Sequence, residues 1–383
     1  MDARSATLLL FFTAVLGSFG ALAGPRTPLS DDEVLERVSE GTRSARVLWR
    51  LQERVAGSPA GSARLARAYV ELGRATGDPR YMGRAQGMLA PWWDLAAPDP
   101  EVLLLRAVLR QWHHQFRPAL LDLDQLISLR PHDGQAWLIR ASVEQVIGEY
   151  GLAASSCARV SELLPGLVAT TCGASIASLT GSLVQARAAL TTALDGGAPP
   201  SPGVEAWSRT ALAEMAVRAG DAPSAERELR RALSLERDPY TLAALADLLL
   251  DGERPAEALE LLRDSTADGL LLRLAEAEAA LGAATLPDHV GNLRDRFQSA
   301  RARGDSVHLR EEARFALRLE RDPPRAVRLA RENWSVQREP ADARLFVEAA
   351  RAAANPEAAA PVREFVRRHG MEDAVLDALE GGR

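Results

Sequence analysis

Leucines along this chain gather in short clusters that fill one face of an α-helix, some of them three or four residues apart. Leu120, Leu123 and Leu126 mark one such face, Leu229, Leu233 and Leu235 a second, and Leu259, Leu261 and Leu262 a third. Alanine carries a longer rhythm. Ala107 and Ala119, Ala141 and Ala153, Ala174 and Ala186, Ala213 and Ala225, and Ala246 and Ala258 are pairs twelve residues apart. Their second members are spaced by 34, 33, 39 and 33 residues, and the long interval holds the Gly- and Pro-rich loop Asp195 to Gly203. Two antiparallel helices joined by a short turn must cross. A small residue from each at the crossing lets the axes approach to the lower end of about 8–10 Å. The alanine spacing therefore predicts stacked helix pairs. Pro131 and Pro165 each close a second helix, and Gly148, Gly181, Gly220 and Gly252 fall near the turn inside a pair.

A period near 34 residues, with a large residue and small residues in the first helix and alanine early in the second, resembles the tetratricopeptide repeat. The units at 101–131 and 135–165 carry the resemblance best, and those at 205–236 and 240–264 nearly as well. Trp137 holds the large early position, and Ala141, Ala153 and Pro165 hold theirs. Two departures stand out. Arg140 occupies a normally apolar position, and the unit at 61–95 reads as carrying an insertion around Thr76-Gly77-Asp78-Pro79. The resemblance implies an all-α fold, a right-handed superhelical solenoid of antiparallel helix pairs.

The predicted organisation begins with a signal peptide at 1–23 and a linker and helix at 24–60, the helical pattern running from Glu33 to Val55. A solenoid of about six units follows at 61–269, and irregular repeat-like helices and a cap fill 270–383, since terminal repeats are usually atypical. Residues 271–284 and 289–304 read as helices without repeat marks. Residues 311–334 read as a further unit, with Ala326 lying 68 residues beyond Ala258. Residues 342–354 and 358–370 form a last pair that Gly370 stops.

The opening residues change the expected compartment. Arg4 ends a short charged region, Ala6 to Phe19 is apolar, and Ala21-Leu22-Ala23 offers a cleavage site. A retained anchor is the rival reading, but Gly17, Ser18 and Gly20 shorten the apolar run below what a spanning helix prefers. No cysteine follows the site, which argues against a lipid anchor. Export to the periplasm or beyond is expected, with no membrane span left after signal removal.

Charge adds an exclusion. All 46 basic residues are arginine, yet the net charge is −6 and the arginines are interleaved with Glu and Asp. No basic face suited to nucleic acid emerges. Arg310, Arg314 and Arg318 form a stripe at i, i+4, i+8, followed by Arg321, Arg325 and Arg328. The stripe reads either as a groove for an acidic polymer or as a solvated face balanced by Glu311, Glu312 and Glu320.

Candidate chemistry is sparse. His113 and His114 are adjacent, so they point about 100° apart on a helix and cannot clamp one ion. The sequence lacks H-E-x-x-H, cysteine-histidine zinc spacing, G-x-S-x-G, a Walker loop and G-x-G-x-x-G. Neither a cofactor, a metal site nor a catalytic residue is expected, and the protein reads as a non-enzyme.

The resemblance implies binding along the concave face formed by first helices. Mapped onto this chain, that face comprises Gln111, Trp112, Gln145, Trp207, Glu214, Arg218, Tyr240 and Asp247. Its mix of aromatics, amides and both charge signs suits an extended protein segment. Trp112 and Trp207 read either as binding anchors or as fillers between helices. Trp334 reads as a packing anchor. The expected function is an exported scaffold for another cell-envelope protein, with a glycan or lipid-carrier binder, or an envelope hydrolase or lyase, as the alternatives.

The only two cysteines take their register from the repeat. Cys157 falls in the second helix of one unit and Cys172 in the first helix of the next, at similar height on neighbouring antiparallel helices. An inter-repeat disulfide is expected if both side chains face inward, with two buried thiols as the alternative.

Overall fold

Aspartate followed by proline sets many of the helix starts. Asp78-Pro79, Asp99-Pro100, Asp238-Pro239 and Asp322-Pro323 each place a carboxylate at the N-cap and a proline at the first helical position. The carboxylate accepts a hydrogen bond from a backbone N–H that the helix leaves without a partner, and proline has no N–H to lose there. The computed structural model describes residues 58–164, 166–196, 201–302, 304 and 308–381. These belong to one unit, Glu40–Arg383. The expected signal peptide, the helical pattern from Glu33 to Val55 and Pro165 lie outside the described residues.

Among the described residues nineteen α-helices follow one another. They are α1 (Pro59–Thr76), α2 (Pro79–Trp93), α3 (Pro100–Trp112), α4 (Phe116–Leu129), α5 (Gly134–Val146), α6 (Tyr150–Leu163), α7 (Leu167–Ala177), α8 (Leu183–Gly196), α9 (Pro202–Arg218) and α10 (Ala222–Leu235). Then come α11 (Pro239–Asp251), α12 (Pro255–Leu262), α13 (Asp268–Leu281), α14 (Leu286–Ala302), α15 (Leu309–Arg318), α16 (Pro323–Val336), α17 (Pro340–Ala352), α18 (Ala360–His369) and α19 (Ala374–Gly381). Odd and even helices pack as successive pairs from α1·α2 to α15·α16. The all-α, tetratricopeptide-like solenoid of helix pairs is the fold. All ten paired alanines are buried, none more than 7% exposed, as close crossing requires.

The supposed insertion in the first unit is absent. Gly77, at φ 68°, ends α1, and Asp78 already caps α2. Gly73 and Ala85 keep the twelve-residue spacing of the other pairs, with glycine in place of the first alanine. Arg140 also finds an explanation: its guanidinium pairs with Glu144 at 2.8 Å and with Asp124, and lies over the Trp137 ring. At the turn after α11 the left-handed residue is Glu253, at φ 56°, rather than the neighbouring Gly252.

First helices also touch distant units. Helix α1 packs on α11, and the turn after α1 is so close to the starts of α11 and α13 that a Cβ on Gly77 would stand 2.9 Å from Ala267 Cβ and 3.0 Å from Pro239 Cγ. A Cβ on Gly148, at φ 80°, would stand 2.8 Å from the Phe365 ring. Arg338 N donates to Val146 O at 2.7 Å, and the Tyr150 hydroxyl donates to Arg338 O at 3.3 Å. Tyr150, Phe365 and Trp334 form an edge-packed aromatic cluster, with Trp334 7% exposed. Helix α19, which no sequence mark announces, is capped by Asp373 and packs on α9 and α17. One apolar core accordingly joins α5–α7 to α15–α19.

Cys157 on α6 is bonded to Cys172 on α7, their Cα atoms 5.6 Å apart. The bond links two consecutive units, and no free cysteine remains.

Candidate ligand cavity

Every odd-numbered helix from α1 to α17 contributes to one cavity of about 650 Å³. This follows from the crossing geometry: alanine contacts bring second helices against the outer side of first helices, leaving the opposite face of each first helix toward the shared centre. Seven of the eight mapped residues line the cavity, namely Gln111, Trp112, Gln145, Glu214, Arg218, Tyr240 and Asp247. Trp207 does not. It lies on α9, 38% exposed, on the same face as Ala211 and Glu214 but two turns before Glu214, toward the helix start and outside the cavity lining. Trp112 is half-buried and serves both ends, packing on the α1–α3 core while lining the cavity.

The arginine stripe is neither a solvated face nor an open groove. Arg310 pairs with Asp342 at 2.5 Å and with Glu339. Arg314 grips Glu276 at 2.6 and 2.7 Å and reaches Asp247 at 2.6 Å. Arg318 binds Glu348 at 3.0 Å and Glu276 at 3.4 Å. Further along, Arg325 bonds Glu312 and Glu320. Charges that alternate along one helix meet opposite charges on its neighbours, and the helices are laced from within.

Asp247 sits at the centre of this lacing. Burial pushes its carboxyl up, but Arg273, at 2.7 and 2.8 Å, and Arg314 more than offset burial and hold it at about 2. On the neighbouring helix α9 the balance differs. Glu214 accepts a hydrogen bond from the Tyr240 hydroxyl, yet burial outweighs that bond and the nearby Arg218 and raises its carboxyl above the ordinary value. The same Glu214 charge, with burial, raises the Tyr240 phenol. Tyr240 is still 56% exposed, which puts its ring in the open part of the cavity. His114, in the left-handed turn after α3, stacks on Phe116 and is lowered to about 4 by burial.

Several side chains that shape the site had no sequence mark. Arg344 on α17 forms a two-point bond with Asp373, at 2.7 Å for the closer contact, and so ties α17 to the start of α19. Ser178, just beyond α7, accepts from Arg218 at 2.5 Å. Arg273 and Glu276 stand one turn apart on α13, a spacing that signals a shared face but not the partners across it. Among the described residues no group of three or more His, Cys, Asp or Glu side chains is placed to hold a metal ion, and no helix is long and apolar enough to cross a membrane.

Comparison with known proteins adds little beyond fold. No family model matches this chain, and no curated protein does. Among solved structures, PilW, described as a widely conserved type IV pilus biogenesis factor, is 17% identical over 52% of this chain and 94% of its own, with a TM-score of 0.41. A tetratricopeptide protein from Thermus thermophilus is 21% identical over 50% of this chain and 100% of its own, at 0.39. One from Parabacteroides merdae is 12% identical over 80% and 98%, at 0.38.

Proposed function

We propose that this protein is an exported, non-catalytic scaffold that holds another protein of the cell envelope through its concave face. The observation that carries the reading is the convergence of the first helices on one cavity whose wall offers aromatic, amide and apolar groups together. Such a surface recognises shape and hydrogen-bonding pattern. Export draws support from the apolar N-terminal run with its small-residue site, and from a disulfide of the kind that persists in oxidising compartments.

The test uses the mature protein, starting at Gly24, as bait in periplasmic extract, with Trp112→Ala and Gln145→Ala beside it. A specific protein should be recovered by the wild type and recovered several-fold less by both variants, with unchanged circular dichroism. Equal recovery by both variants would place the partner elsewhere. Absence of any protein partner together with turnover of a wall fragment would favour an envelope hydrolase. Intact-mass analysis of the exported protein checks the leader, since loss of residues 1–23 is expected.

A further inference from the structure

Four arginines of the cavity wall other than Arg218 are accounted for. Arg273, Arg310 and Arg344 each hold a carboxylate, and Arg74 is exposed to solvent. Arg218 is different. It is 5% exposed, its Nη2 donates to the Ser178 hydroxyl at 2.5 Å, and its Nε has no hydrogen-bond partner. Among the described residues no carboxylate lies within ion-pair distance of it, because both nearby acids are engaged: Glu214 by the Tyr240 hydroxyl and Asp373 by Arg344.

A guanidinium taken out of water without a counter-ion is unfavourable, and its planar fork of donors matches a carboxylate. Space and surroundings define the rest of the ligand. The cavity volume of about 650 Å³ lies within the range of small-molecule sites. Val146, Leu179, Ala211 and Met215 give the cavity wall an apolar character, Ala211 and Met215 on the same helix as Arg218 and Leu179 next to its partner Ser178. Glu214, Asp247 and Glu339 also line the cavity and oppose a doubly charged anion.

We propose that the cavity binds a small amphipathic monocarboxylate, its carboxylate paired with Arg218 and its apolar body lying on Val146, Leu179, Ala211 and Met215. The site goes beyond the scaffold reading and stands without it, since it needs no protein partner.

Decanoate is the probe, decanamide its uncharged counterpart and inorganic phosphate an anion without an apolar body, each titrated calorimetrically into the mature protein. Saturable binding of one decanoate per chain is expected, at least tenfold tighter than decanamide or phosphate. Arg218→Gln should lose at least tenfold in decanoate affinity, whereas Arg328→Gln, at an exposed arginine outside the cavity wall, should bind as the wild type does. Absence of decanoate binding, equal affinity for decanamide, tighter binding of phosphate, or full affinity in Arg218→Gln would each overturn the proposal. The comparison of the three probes on wild-type protein needs no variant, so a folding defect in Arg218→Gln would leave the test standing.

Discussion

The two sides of the cavity solve the problem of buried arginine in different ways. On the side built from α11, α13, α15 and α17, Arg273, Arg310, Arg314 and Arg318 all meet carboxylates from neighbouring helices. On the side built from α7 and α9, first helices are joined by hydroxyls. Thr171 and Ser208 lie 2.7 Å apart, and Thr210 of α9 meets Thr241 of α11 at 3.0 Å. Arg218 there has one hydroxyl and no acid. A matched pair fixes neighbouring helices but leaves nothing for a ligand. An unmatched charge does little for the fold and keeps its attraction for an incoming anion. The difference separates a side that holds the protein together from a side able to recognise something.

The largest expected effect is on the matched side. Arg314→Gln leaves Asp247 and Glu276 short of a cation and should cost about 3–5 kcal/mol in urea denaturation, the range for breaking one partner out of a buried pair. A loss under about 1 kcal/mol would mean that the lacing adds as little as surface pairs do. Next comes the covalent link into α7. Cys157→Ser with Cys172→Ser opens a loop with a sequence separation of 15 and should cost about 3 kcal/mol in the chain-entropy account.

Acid should then separate the two sides by sign. Asp247 is lowered from 3.8 to about 2, so its contribution is complete above pH 3.8 and is lost as pH falls through 2. That contribution is on the order of 2 kcal/mol, and Asp247→Asn should abolish this part of the acid loss. Glu214 is raised from 4.5, so the folded state holds its proton more tightly and stability rises as pH falls from the folded value toward 4.5. Glu214→Gln should flatten that rise. Loss of stability on both sides over the same acid range would remove the contrast. The smallest effect belongs to Arg218→Gln, which should change stability by less than about 1 kcal/mol or raise it, since it removes an unpaired buried charge. A loss near that of Arg314→Gln would show that the two sides are alike.

Local rules carried the fold a long way. Alanine at a crossing, proline at a helix start and glycine past a helix end each report a backbone event within a few residues, so the pairs from α3 to α12 could be read from spacing alone. The first unit was misread because Gly73 stands where alanine usually signals the crossing. Helix α19 escaped notice because eight residues carry too little periodicity to register. The first-helix register brought seven mapped residues to one cavity, and it misplaced Trp207 because that residue shares the face of Glu214 but stands seven residues, two turns, nearer the helix start. What the spacing could not supply was pairing between helices far apart in sequence. Arg314 with Asp247 and Arg344 with Asp373 depend on which units meet in space, and a period describes only neighbours.

Contacts such as Gly77 with Pro239 and Gly148 with Phe365 also bear on how this chain can change over generations. A linear array in which each unit touches only the next can lengthen or shorten by duplication, one unit at a time. Here a fixed number of helices must intervene before α11 comes back to α1 and α18 to the turn after α5. Inserting or deleting one pair between them would displace these distant contacts together. Individual residues are free to drift, but the count of units is not.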